Sequence, residues 1–175
     1  MLKNKKGLTF IELLVVLAIM AVLATVSFVS IQYSVKQNQF KTYSGKCQAA
    51  MQLCTDNADL LNKGVGIYKG TVYFKLNENI SLDQFCTKFQ NMISSRMDPE
   101  YDIKIRTTHT MPTLSASKDT VIVYIDDLHP TNNYKLSHNL DLKVRGAWFI
   151  PKGKSTPVFT IDRYTEYRSG KNLTP

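Results

Sequence analysis

Between Leu8 and Val35 the chain carries one charged residue, Glu12. A carboxylate in so apolar a run costs a few kcal/mol on insertion scales and is kept for a function, either proton chemistry or pairing with a cation. Three cysteines, Cys47, Cys54 and Cys86, offer sulfur chemistry. Three histidines, His109, His129 and His138, fall in turn-rich stretches or at strand ends, without metal-ligand spacing. Asp126-Asp127, ahead of Leu128-His129-Pro130, is a weak cation candidate, although adjacent acids in a turn are usually just solvated. No Ser/His/Asp set, glycine-rich phosphate loop or nucleotide fingerprint occurs. The expectation is a protein that is not an enzyme and needs no cofactor or metal.

The elements around Glu12 decide its reading. From Leu13 to Val35 no residue is charged. At helical rise that run spans about 35 Å, enough for a bilayer core of roughly 30 Å. Lys3, Lys5 and Lys6 precede it, which favours a cytoplasmic N-terminus and a body outside. A secretory signal peptide cut after Val22-Leu23-Ala24 accounts for the basic start. It does not account for an apolar run that continues to Ile31, or for the charge inside it. A plain single-span anchor accounts for the length but not for Glu12 or Gly7.

The order Lys5-Lys6-Gly7-Leu8-Thr9-Phe10-Ile11-Glu12-Leu13 resembles the class III leader of type IV pilins and pseudopilins. That family's pattern reads K-K-G-F-T-L-I-E-L; here phenylalanine and leucine have exchanged places. The resemblance implies that a prepilin peptidase/N-methyltransferase cuts after Gly7 and methylates the new N-terminus at Leu8. It also implies that Glu12 pairs with the N-terminal amine of a neighbouring subunit. Two opposite charges in an apolar bundle attract strongly, whereas either alone is poorly solvated. Many major pilins carry a glycine and a proline inside this helix. Ala21 and Val29 stand at the corresponding places, so an unbroken helix is expected.

Three parts follow: a leader over 1–7, a membrane or filament-core helix over 8–35, and one globular head over 36–175. After Val35 the apolar positions Phe40, Tyr43, Cys47, Ala50/Met51, Cys54, Ala58 and Leu61 step by three and four, one face of a helix. No break separates them from the apolar run, so one helix is read from about Thr9 to Asn62, stopped by Asn62-Lys63-Gly64. A second amphipathic helix is read from Ser81, an N-cap by residue type, to about Met97. Thr71 to Leu76 reads as a short strand or packed loop. Strands are read at Tyr101–Arg106, Thr120–Ile125, Leu140–Val144 with Ala147–Ile150 as an extension, and Pro157–Tyr167. The fold class is α+β and pilin-like: a helical spine on a C-terminal antiparallel meander, with a second helix in the connecting region.

Cys47 and Cys54 share a helix face, seven residues and about 10 Å apart. That is beyond the roughly 7 Å a disulfide spans between Cα atoms. Only Cys86 can partner one of them, Cys54 by preference. The competing reading makes all three small buried hydrophobes.

The chain is formally +8. Removing the three leader lysines leaves +5. From Lys135 to Pro175, eight basic and three acidic residues put the same excess in one region. Lys152, Lys154, Arg163 and Arg168 on the last two strands and their hairpin, with Tyr134, Tyr164 and Tyr167 nearby, suit a polyanion such as DNA or anionic surface polymers. Edge-strand solubility and complementarity between subunits are the bland alternatives. The functional classes are therefore a structural subunit (a major or minor pilin), a displayed binding module (an adhesin or DNA-capturing minor pilin), or a type II secretion pseudopilin. The implied partners are other pilin subunits, the processing enzyme, the pilus assembly platform and, before assembly, the membrane. The implied location is the bacterial cytoplasmic membrane and then a surface filament.

Overall fold

The computed structural model describes residues 9–96, 100–107, 110–127, 136 and 140–162. The chain divides into two compact units, Met1–Lys41 and Thr42–Pro175. Helix α1 runs Phe10–Asn62 without interruption through Ala21 and Val29. In the first unit its residues are exposed throughout. The hydroxyls there turn inward on their own helix: Thr25 Oγ1 donates to Val22 O, Ser27 Oγ to Leu23 O and Ser30 Oγ to Val26 O. A helix in lipid must satisfy its polar groups internally, and these three do so. At the other end Gly64, at φ 80°, closes the helix. Its N–H donates to Leu61 O and that of Val65 to Leu60 O, the two bonds of a Schellman stop.

In the second unit α1 buries Cys47, Ala50, Met51, Cys54, Ala58 and Leu61. Phe40 does not join this stripe and is 60% exposed. Helix α2, Leu82–Ser94, starts at Ser81, whose hydroxyl accepts from Gln84 N while the Gln84 side chain accepts from Ser81 N. This reciprocal cap is why the helix begins there. Its C-cap is Ser95, earlier than the Met97 expected from the stripe, and Met97 lies outside the described residues. Phe85, Phe89, Met92 and Ile93 bury its apolar side.

Strands β1 (Ile67–Tyr68) and β2 (Thr71–Val72) form a hairpin. Its two-residue turn, Lys69-Gly70, has φ 47° and 78°, which fits the twist of short antiparallel ribbons. The main sheet has order β3 (Asp102–Arg106), β4 (Thr120–Asp127), β5 (Leu142–Ile150), β6 (Phe159–Asp162). It is rich in antiparallel pairing, as expected, but β3 and β4 are parallel. A meander would turn back at each strand end. Here the chain between Arg106 and Thr120 returns to the end where β3 began.

That returning segment also covers the sheet. One face, with Val121, Val123, Ile125, Val144, Ala147 and Phe149, joins the core with α1 and α2. The other face, with Ile122, Tyr124, Trp148 and Ile150, packs against Ala116 and Leu114. Both faces are therefore dry along the second half of β5, so the alternation read at Leu140–Val144 gives way to a continuous buried run. Gly146 lets β5 pass as one strand: a Cβ there would stand 2.5 Å from Ile161 O and 2.6 Å from the Tyr124 ring.

Candidate functional site at the N-terminus of the long helix

Thr9 and Glu12 close on each other at the first turn of α1. Thr9 N donates to Glu12 Oε2 at 2.8 Å, and Thr9 Oγ1 donates to the same oxygen at 2.9 Å. Glu12 N donates to Thr9 Oγ1 at 3.3 Å. This is a capping box: the threonine hydroxyl satisfies a backbone N–H of the first turn, and the glutamate returns to the threonine N–H. The helix N-terminus also favours the negative charge. Among the described residues no donor reaches Oε1. The carboxylate is thus oriented from within the subunit through Oε2. The sequence reading missed this cap, although the Thr-x-x-Glu spacing ahead of an apolar run is a signal that could have found it.

The family model for the prokaryotic N-terminal methylation motif matches residues 2–28. The chain carries the class III prepilin leader of type IV pilins and pseudopilins. No curated protein and no solved structure matches it. The leader and the exposed apolar helix support membrane anchoring followed by a surface filament. Gly7 and Leu8, the expected cleavage and methylation residues, lie outside the described residues.

Replacing Thr9 with valine keeps its shape and removes the hydroxyl. An N-cap loss of about 1 kcal/mol is expected, so amide exchange over residues 10–12 in micelles should rise about fivefold. Thr9→Ser should restore it. Unchanged exchange in the valine variant would show that the cap does not hold the helix start.

The other sequence candidates separate. Cys47 and Cys54 are buried and Cys86 partly so, and all three thiols are free. The bridge from Cys86 to Cys54 is not formed in this structure; all three pack within or against the apolar core. Burial pushes the Cys47 thiol up to about 12 and raises Cys54 further. Cys86 is raised by burial and by the Asp83 charge, against a Thr107 hydrogen bond. None of the three is a ready thiolate nucleophile. His109, His129 and His138 lie outside the described residues, as do Arg163, Arg168, Tyr134, Tyr164 and Tyr167. Asp126 Oδ2 lies 3.6 Å from Arg145 Nε, an ion pair.

Lys152 and Lys154 are exposed on either side of Gly153, at φ 75°, as expected of a hairpin tip. That tip is tied down by a joint the sequence did not reveal. Asp119 Oδ2 accepts from Lys46 Nζ on α1 at 2.8 Å, and its Oδ1 accepts from Lys152 N at 3.0 Å. Lys46 Nζ also stands 5.6 Å from the centroids of the Tyr101 and Phe149 rings. Burial pushes the Asp119 carboxyl up, but the Lys46 and Lys152 hydrogen bonds and lysine charges outweigh it and hold it below its ordinary 3.8. A depressed carboxyl stabilises the fold above its unfolded value and loses that contribution as pH falls through the folded value. The head should therefore lose stability below about pH 4 more steeply than an Asp119→Asn variant does. At neutral pH that variant should be about 1 kcal/mol less stable or less, since both partners are partly solvated. Parallel acid profiles in thermal melts would show that the joint contributes nothing.

Proposed function

We propose that the chain is a structural subunit of a type IV pilus-like filament rather than an enzyme. One observation carries this reading: the methylation motif leads directly into a fully exposed apolar helix whose lone carboxylate is oriented at its first turn. In this reading residues 1–7 are a leader removed after Gly7 on the cytoplasmic side. Leu8 becomes the methylated N-terminus, and residues 8–35 hold the subunit in the membrane and then in the filament core. Residues 36–175 form the head outside. Glu12, held by Thr9, takes the N-terminal amine of a neighbouring subunit on its remaining oxygen, which sets the axial register between copies. The partners are further pilin subunits, the peptidase that cuts and methylates, and the assembly platform.

Terminal sequencing of the mature protein tests this. A methylated Leu8 is expected. A terminus at Thr25 would mean cleavage after Val22-Leu23-Ala24, and the apolar helix would then be a discarded secretory signal.

A further inference from the structure

A basic cluster forms at one end of the head that the assembly chemistry above does not use. Backbone bonds tie the covering segment to the β5–β6 turn: Leu114 N to Ser155 O at 3.0 Å, Gly153 N to Ala116 O at 2.9 Å and Ala116 N to Lys154 O at 3.4 Å. The bond from Lys152 N to Asp119 closes the same junction. Together they bring Lys118, remote in sequence, beside Lys152 and Lys154. All three lysines are exposed, and none has an ion-pair partner among the described residues. Ser117 and Ser155, also exposed, add hydroxyl donors. Asp119, the carboxylate inside the cluster, has both oxygens occupied. The other described acids at this end, Glu100 and Asp102, stand at the start of β3. Asp102 is aligned with Thr120, and Thr120 with Ile150. Asp102 N also donates to Asp119 O at 2.9 Å, so Asp102 borders the Lys118–Asp119 segment, while two strand spacings, about 10 Å, separate it from the β5 side that carries Lys152 and Lys154.

The place of the cluster points to its partner. Asp119 is bonded to Lys46, four residues into the head unit that begins at Thr42. The lysines therefore stand at the end of the head where the chain enters. In sequence Lys46 follows Lys36, the first residue beyond the apolar run, by ten residues. We propose that Lys118, Lys152 and Lys154 dock the head on anionic phosphate headgroups of the membrane that holds the subunit before assembly. This rests on the membrane-held subunit proposed above. An anionic surface attracts juxtamembrane lysines within a Debye length, and the chain's own span keeps that surface at high effective concentration. Lysine is a point charge on a flexible stem, suited to a shifting array of phosphates. No exposed aromatic ring accompanies the three lysines among the described residues, as base stacking on a nucleic acid would favour.

The test is lysine acylation footprinting of the full chain inserted in nanodiscs, read by mass spectrometry. Discs of phosphatidylcholine alone are compared with discs containing a third phosphatidylglycerol. Lys118, Lys152 and Lys154 should react at least threefold more slowly in the anionic discs. Lys63, exposed just past the far end of α1, should not change, and 1 M salt should abolish the difference. In a Lys152→Gln, Lys154→Gln double variant the protection of Lys118 should fall towards that of Lys63. Equal reactivity in both discs, or an equal fall at Lys63, overturns the proposal. So does protection that arises only on adding duplex DNA, or that follows the number of copies per disc rather than lipid charge. A chain that enters neither disc would instead overturn the membrane-span reading on which the proposal rests.

Discussion

Glu12→Ala should yield a stable, processed subunit that stays in the membrane and fails to enter filaments. The apolar helix remains an excellent span, so insertion does not suffer. On the proposed pairing, what is lost is the partner of the neighbour's amine. Removing one member of a buried ion pair costs about 3–5 kcal/mol because the other is left uncompensated. That corresponds to roughly two to three and a half orders of magnitude in subunit affinity, enough to empty the sheared filament fraction of the variant. Glu12→Leu should behave alike, since charge pairing rather than solubility is removed. The capping box adds a sharper control. Glu12→Gln retains a side-chain oxygen for Thr9 N and Thr9 Oγ1, the two donors it now accepts from. Its helix start should therefore stay ordered while incorporation is still lost. Wild-type incorporation by the alanine and leucine variants would remove the assembly role of Glu12.

Phe149→Ala should be the most damaging single change in the head. Phe149 is fully buried on β5. It stacks on Tyr43 of α1 with ring centroids 4.5 Å apart, and its ring lies beneath Lys46. It therefore links the sheet, the spine and the Lys46–Asp119 joint. Truncating a buried phenylalanine costs about 3–5 kcal/mol, through lost transfer energy and the cavity left behind. Such a loss is a large part of the total stability of a domain this size. The urea midpoint of the detergent-solubilised chain should fall accordingly, and protease resistance of the head with it. Phe149→Leu should recover much of the loss. An unfolding free energy within about 1 kcal/mol of wild type for the alanine variant would show that the site collapses around the gap.

Much of this protein is written in short-range pattern. The leader motif, the lone Glu12 and the uncharged run are local features, and so the methylation motif and the apolar helix could be read without a fold. The extent of α1 follows from unbroken three-and-four stepping and a stop at Asn62-Lys63-Gly64. Its stop is made by bonds no more than five residues apart. The α2 start follows from Ser81 and Gln84 in the same way. Alternation located β3 and the start of β5, because side chains on a strand report their two faces residue by residue; β4 was legible as a β-branched run, and β1 at Ile67–Tyr68 was not read. The tertiary structure alone decided what these elements meet. Parallel pairing of β3 with β4 depends on which end of the sheet the 107–119 segment returns to, and no residue pattern within either strand records it. The same return lays Leu114 and Ala116 over Trp148 and Tyr124. A segment rich in turn residues thereby becomes a cover, and β5 loses its alternation. Lys46, Asp119 and Lys152 are separated by 73 and 33 residues, so their junction, and the place of Lys118 beside it, exists only once the chain has closed. Sequence fixes charges and local geometry; long-range closure decides which charges become neighbours.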